Sequence, residues 1–166
     1  MNVAQPATAL ISPLANSILN VLIGTTRPLA GREITRLAAH GSQEGVRRAL
    51  GRLSEHGLVE RIEHRGSTLY TLNRDHLAMP VVNLLTSMRT DLIRKIRAVV
   101  TSWSPQPIHL SMFGSAARAD GGTESDIDLL LIRPEGVESV DEGWNRQMNN
   151  LRESIQLWTG NRVSYT

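Results

Sequence analysis

The chain has 166 residues, 40% of them apolar and none of them cysteine. That length buries one good core or two small ones, and the lack of thiols excludes a disulfide framework, a cysteine nucleophile and any cysteine-ligated zinc or iron–sulfur centre. The net charge of +2 conceals a split. Residues 1–76 hold nine Arg against six acids, residues 77–103 hold Arg89, Arg94, Lys95 and Arg97 against Asp91, and residues 104–166 hold five Arg against nine acids; a basic front suits a polyanion and an acidic back a cation, with ordinary surface charge as the bland alternative.

Residues 1–24 are apolar but lack a basic leader and are interrupted by Pro6, Pro13, Asn16 and Asn20, so they are expected to be a tail and a core helix rather than a signal peptide. No apolar run reaches the roughly 20 residues of a membrane span; the expectation is a soluble cytoplasmic protein without membrane partners. From Pro13, Leu14, Ile18, Val21 and Leu22 recur at helical spacing until Gly24. A short helix around Ile34, Leu37 and Ala38 follows, broken at His40-Gly41. Ser42 then offers an N-cap to a third helix lined by Val46, Leu50 and Leu53 and stopped at Gly57, its other side carrying Gln43, Arg47, Arg48 and Arg52. Leu58–Ile62 and Thr68–Leu72 around a polar turn read as a β-hairpin. Met79 to Trp103 is long and helical, with Val82, Leu85, Leu92, Ile96, Val99 and Trp103 at a 3,4 spacing that Arg89 interrupts. That seam either pairs two subunits as a homodimer or packs the two domains of one chain. Ser104-Pro105-Gln106-Pro107 closes it. Beyond lie a strand over 108–113, a Gly114-Ser115 turn, a short helix, a loop through Gly121-Gly122, a strand over 126–132, a helix from about Ser139 to Trp158 and a last strand near 161–166.

Over residues 13–73 the order of three helices and a hairpin resembles the winged helix-turn-helix regulators of the MarR and ArsR type, most clearly in Arg47–Val59, in Arg65-Gly66 of the wing and in Tyr70-Thr71-Leu72. The resemblance implies double-stranded DNA as partner, with Gln43, Arg47 and Arg48 at base edges and Arg52 and Arg65 on phosphates. The alternative is a winged helix that binds only protein, its arginines a solvated face.

In the back half, Asp126 and Asp128 are two apart in a strand, so both carboxylates leave one face while Ile127 and Leu129 enter the core. Such a pair repels unless a cation lies between, and hard oxygen ligands suit Mg²⁺, which completes its shell with phosphate oxygens and water. A Gly-Ser turn at the mouth of a helix presents backbone N–H groups and a hydroxyl to phosphates. The bland reading of the pair is a solvent-facing strand end. Lone His40, His56, His64 and His109 share no metal-binding spacing.

Phe113-Gly114-Ser115-Ala116-Ala117-Arg118 followed by Ser125-Asp126-Ile127-Asp128-Leu129-Leu130 resembles the nucleotidyltransferase superfamily that includes DNA polymerase beta, kanamycin nucleotidyltransferase and the small MNT-type proteins, over residues 107 to about 166. The resemblance implies that Gly114 and Ser115 hold the β/γ-phosphates of an NTP, that Asp126 and Asp128 are catalytic and hold Mg²⁺, and that Arg118 lies near the nucleotide. It further implies attack of a protein or small-molecule hydroxyl on the α-phosphate with pyrophosphate leaving, and a HEPN-type toxin as one conceivable acceptor. Two departures stand out. Ala119 replaces the usual Gly, and Ser164 occupies the place of the third catalytic acid, Glu153 being expected to face solvent. Either transfer is weakened or lost, or the chain is cut short and the alignment displaced.

The expected fold is α+β: a winged helix domain over 1–76, a linking helix over 77–103 and a small mixed-sheet nucleotidyltransferase-like domain over 104–166. The expected function is a DNA-binding, Mg²⁺-dependent nucleotidyltransferase. The alternative is a transcriptional regulator whose back domain senses nucleotide or scaffolds.

Overall fold

A computed structural model describes residues 1–38, 41–64, 66–118 and 122–166, without the side chain of Arg118. The chain divides into two compact units, Ala7–Ser87 and Met1–Pro6 with Met88–Thr166.

In the first unit, helix α1 (Pro13–Ile23) starts where the Ser12 hydroxyl accepts the Ala15 N–H at 3.2 Å, with Pro13 at the first helical position, where its missing N–H costs nothing. A two-residue strand β1 (Leu29–Ala30) leads into α2 (Gly31–Ala38). Helix α3 (Gln43–Glu55) is capped by Ser42, whose hydroxyl accepts the Gly45 N–H at 3.1 Å. Strands β2 (Val59–His64) and β3 (Ser67–Leu72) form an antiparallel hairpin in register from Val59↔Leu72 to His64↔Ser67. Strand β1 pairs with the other edge of β3, giving the order β1-β3-β2. Ile18, Leu22, Leu29, Ile34, Val46, Leu50, Val59 and Tyr70 share one core. Strand β1 is too short to show any alternation, yet Leu29 is fully buried and fixes one side of the sheet.

Helix α4 (Met79–Thr101) serves both units. Met79 and Val82 enter the first core, and Leu92, Ile96 and Val100 with Trp103 enter the second. Of the 3,4-spaced seam, Val82 thus belongs to the first core and Leu92, Ile96 and Trp103 to the second.

In the second unit, β4 (His109–Phe113), β5 (Ile127–Ile132) and β6 (Val163–Tyr165) form a mixed sheet with β5 at the centre, antiparallel to β4 and parallel to β6. A short helix α5 (Gly114–Arg118) follows β4, and α6 (Glu142–Thr159) precedes β6. The Asp141 carboxylate caps α6 through the Trp144 N–H at 2.7 Å, and Gly160 ends it at φ +74°. One face of the sheet, with Ile127, Leu129 and Val163, packs with Leu92, Ile96, Trp144, Leu151 and Ile155. Each such apolar side chain stabilises by about 1.5–3 kcal/mol on burial. No helix among the described residues is long and apolar enough to cross a membrane.

Candidate functional site

The opposite face of that sheet carries the polar residues. Phe113 pairs with Asp128 across β4 and β5, and Asp128 pairs with Ser164 across β5 and β6. Residues directly opposite in adjacent strands point to one face, so Phe113, Asp128 and Ser164 form a row across the sheet. Asp126 precedes β5 by one residue and shares the parity of Asp128. Asp126 and Ser164 are exposed and Asp128 is half-buried, while their neighbours Ile127 and Leu129 are buried.

Gly114 links this row to the turn above it. Its φ of +66° lies in the left-handed region, and a Cβ at that position would overlap Asp128 Oδ2 and lie 3.4 Å from Asp128 Cγ. Only glycine lets the backbone turn left-handed and the Asp128 carboxylate lie against it. The two halves of the motif thus meet at Gly114 and Asp128, fourteen residues apart in sequence. Ser115 is half-buried beside Gly114, and Ala116 is buried in the core, which anchors α5 to the sheet. Arg89, whose charge breaks the apolar spacing of α4, donates from its guanidinium to Ala117 O and to Val3 O, both at 3.3 Å. It thereby satisfies a carbonyl at the end of α5, a role that a break in periodicity does not disclose. The main chain of Arg118 closes α5; its side chain, like Ala119 and Gly121, lies outside the described residues.

Among the described residues neither the Asp126 nor the Asp128 carboxylate accepts a hydrogen bond or pairs with a cation, and no group of three or more His, Asp or Glu could enclose a metal. Two carboxylates on an exposed face beside a Gly-Ser turn fit Mg²⁺, which binds through one or two carboxylates and takes the rest of its octahedron from phosphates and water; they do not fit a closed all-protein cage. Ser164 stands directly beside Asp128, and Glu153 is exposed on α6.

In the other unit Gln43, Arg47, Arg48 and Arg52 are exposed on α3, opposite the buried Val46 and Leu50. Glu44 stands among them. It accepts two hydrogen bonds from Arg47, at 2.9 and 2.8 Å, and lies 3.5 Å from Arg48. The hydrogen bond from Arg47, and then its charge and that of Arg48, hold the Glu44 carboxyl below the usual carboxylate range, and the same bond raises the Arg47 guanidinium. Gln43 and Arg47 also line a cleft with Arg32, Thr68 and Tyr70, which adds Arg32 to the basic residues singled out from sequence. Arg65 and His40 lie outside the described residues.

The mixed sheet thus presents Asp126 and Asp128 beside the Gly114-Ser115 turn. Residues 93–158 match the family described as Nucleotidyltransferase domain, which supports the superfamily resemblance carried by Gly114-Ser115 and Asp126-x-Asp128. The match begins inside α4, upstream of Pro107, and Ile96 and Val100 of that helix belong to the same core as Ile127 and Leu129. It ends before β6, the strand that holds Ser164. No curated protein and no solved structure gives a significant match.

Proposed function

We propose that the unit containing Met88–Thr166 binds an NTP with Mg²⁺ on the exposed face of its sheet and transfers the nucleotidyl group to a hydroxyl acceptor. We propose in addition that the unit Ala7–Ser87 is a winged helix that binds double-stranded DNA. The observation that carries the first reading is the close approach of Gly114 to the Asp128 carboxylate, which joins a phosphate-binding turn to a metal-binding pair. Asp126 and Asp128 would hold the metal, and the Gly114-Ser115 backbone and the Ser115 hydroxyl would bind the β- and γ-phosphates. Bound Mg²⁺ supplies charge neutralisation on the phosphates and stabilises the departing pyrophosphate. The chain's own residues orient the α-phosphate and leave the open face to the acceptor. The test is Mg²⁺-dependent release of pyrophosphate from an NTP in the presence of candidate protein and small-molecule acceptors. Release abolished by Asp126→Asn supports transfer; no turnover with any NTP and acceptor rejects it.

Ser164 beside Asp128 favours a second reading, a regulator that binds nucleotide without transferring it. A serine hydroxyl is neither a general base at neutral pH nor an anionic metal ligand, so the step that activates the acceptor is weakened. This reading predicts nucleotide binding without pyrophosphate release and a specific operator bound by α3 with Gln43, Arg47 and Arg48 facing bases and Arg52 and Arg65 phosphates. Equal affinity for every DNA sequence tested would remove the regulator; affinity independent of salt would remove the phosphate contacts.

A further inference from the structure

Asp126 lies outside the strand ladder, whose first paired residue is Ile127, so its position depends on what holds the loop before it. That loop is held by Asn161, at the junction of α6 and β6, which is only 4% exposed. The Asn161 side-chain amide donates to Ser125 O at 2.8 Å and to Thr123 O at 3.3 Å. Its Oδ1 accepts from the Met1 amino group at 2.9 Å, and its backbone N–H donates to Thr159 Oγ1 at 3.1 Å. The loop is itself a closed turn, because the Ser125 hydroxyl accepts the Gly122 N–H at 2.9 Å. Immediately after Asp126, the Ile127 N–H donates to Arg162 O at 2.8 Å. Consecutive residues Asn161 and Arg162 therefore grip the chain on both sides of Asp126, one through its side chain and one through its backbone.

We propose that Asn161 is a positioning residue for the metal site: by binding the carbonyls of Thr123 and Ser125 it sets the Asp126 carboxylate beside Asp128. The inference rests on the nucleotide–metal reading above. A primary amide is suited to this place because its two N–H groups donate to two backbone carbonyls, those of Ser125 and Thr123; Thr123 O accepts from the Met1 amino group as well, at 3.2 Å. An aspartate of the same shape would present an oxygen to both and push the loop away. Residues that orient metal ligands typically change metal affinity by about 10–100-fold when replaced.

The test compares Asn161→Asp and Asn161→Ala with Ile155→Val, a core variant of the same unit that removes a methylene group from a fully buried side chain and touches neither the loop nor the aspartates. Mn²⁺ binding in the presence of ATP is read by electron paramagnetic resonance, and thermal melting is followed on the same samples. Binding is measured well below each melting transition. Asn161→Ser, which keeps one donor, is read in the same way should Asn161→Asp fail to fold. The expected result is Mn²⁺ affinity about 10–100-fold lower in the Asn161 variants and changed less than about twofold in Ile155→Val even as its melting temperature falls. Wild-type affinity in folded Asn161 variants, or an equal loss in Ile155→Val, overturns the inference and leaves the metal site standing. Wild-type protein binding no more Mn²⁺ than the Asp126→Asn/Asp128→Asn double variant removes the site and the inference together.

Discussion

In the unit that holds the sheet face of Asp126 and Asp128, the chemistry-bearing residues are backed by buried structure: Ile127 and Leu129 in the core, Gly114 against Asp128, Asn161 beneath the preceding loop. In Ala7–Ser87 the arginines of α3 stand in solvent, and Glu44 partners two of them. The contrast teaches what each region can do. A site fixed from behind can place a metal and a phosphate to within fractions of an ångström. An exposed basic face acts through charge, adapts to its partner and responds to salt.

The comparison breaks most readily at the aspartates. Replacing Asp128 with Asn is expected to lower affinity for Mg²⁺ and NTP by more than about 100-fold, because it takes the negative charge from a proposed ligand rather than altering a neighbour of one; calorimetric titration reads this directly. Gly114→Ala comes next. It adds about 1–3 kcal/mol of backbone strain and a Cβ that overlaps Asp128 Oδ2, so nucleotide affinity should fall at least about tenfold while Gly66→Ala, at a turn with no neighbour within 4 Å, leaves it unchanged. Ser164→Asp sharpens the account in the other direction. With a third carboxylate beside Asp128, pyrophosphate release should rise on the order of tenfold or more; a rate no higher than wild type would mean that Ser164 is not what limits transfer.

Glu44→Gln is expected to raise DNA affinity only about a few-fold, since an ion pair in solvent is screened and weak. The gain should shrink as salt rises, and anisotropy titrations at two ionic strengths measure it. The smallest effect is on stability at high pH. Burial pushes the Tyr165 hydroxyl up to about 12, opposed by the Arg152 guanidinium over its ring. A folded value above the unfolded value of about 10 means a contribution fully present below about pH 10 and lost as pH rises from there towards about 12. Melting temperature against pH should fall over that window in wild type and flatten in Tyr165→Phe.

What sequence could show of this molecule was its local chemistry. Ser42 at a helix start and Gly114-Ser115 followed by Asp126-x-Asp128 are patterns written in neighbouring residues, and the structure places Ser42 at the cap of α3 and Asp128 against Gly114. The family resemblance put Ser164 in the place of a third acid, and the structure sets it opposite Asp128 across β5 and β6. Three features were not legible. Strand β1 has two residues, too few for any period. Arg89 looked like a fault in an apolar seam, and its purpose depends on carbonyls of Val3 and Ala117 far off in the chain. Asn161 looked like the start of a strand, and its role depends on Thr123 and Ser125. Side chains that act by long-range hydrogen bonds to backbone leave no trace in local spacing.

The most direct test of the account is calorimetric titration of the protein with Mg²⁺ and each NTP, run in parallel with the Asp126→Asn/Asp128→Asn double variant. The account predicts Mg²⁺-dependent binding of at least one NTP that disappears in the double variant; no binding by the wild type, or binding equal in both, would contradict it.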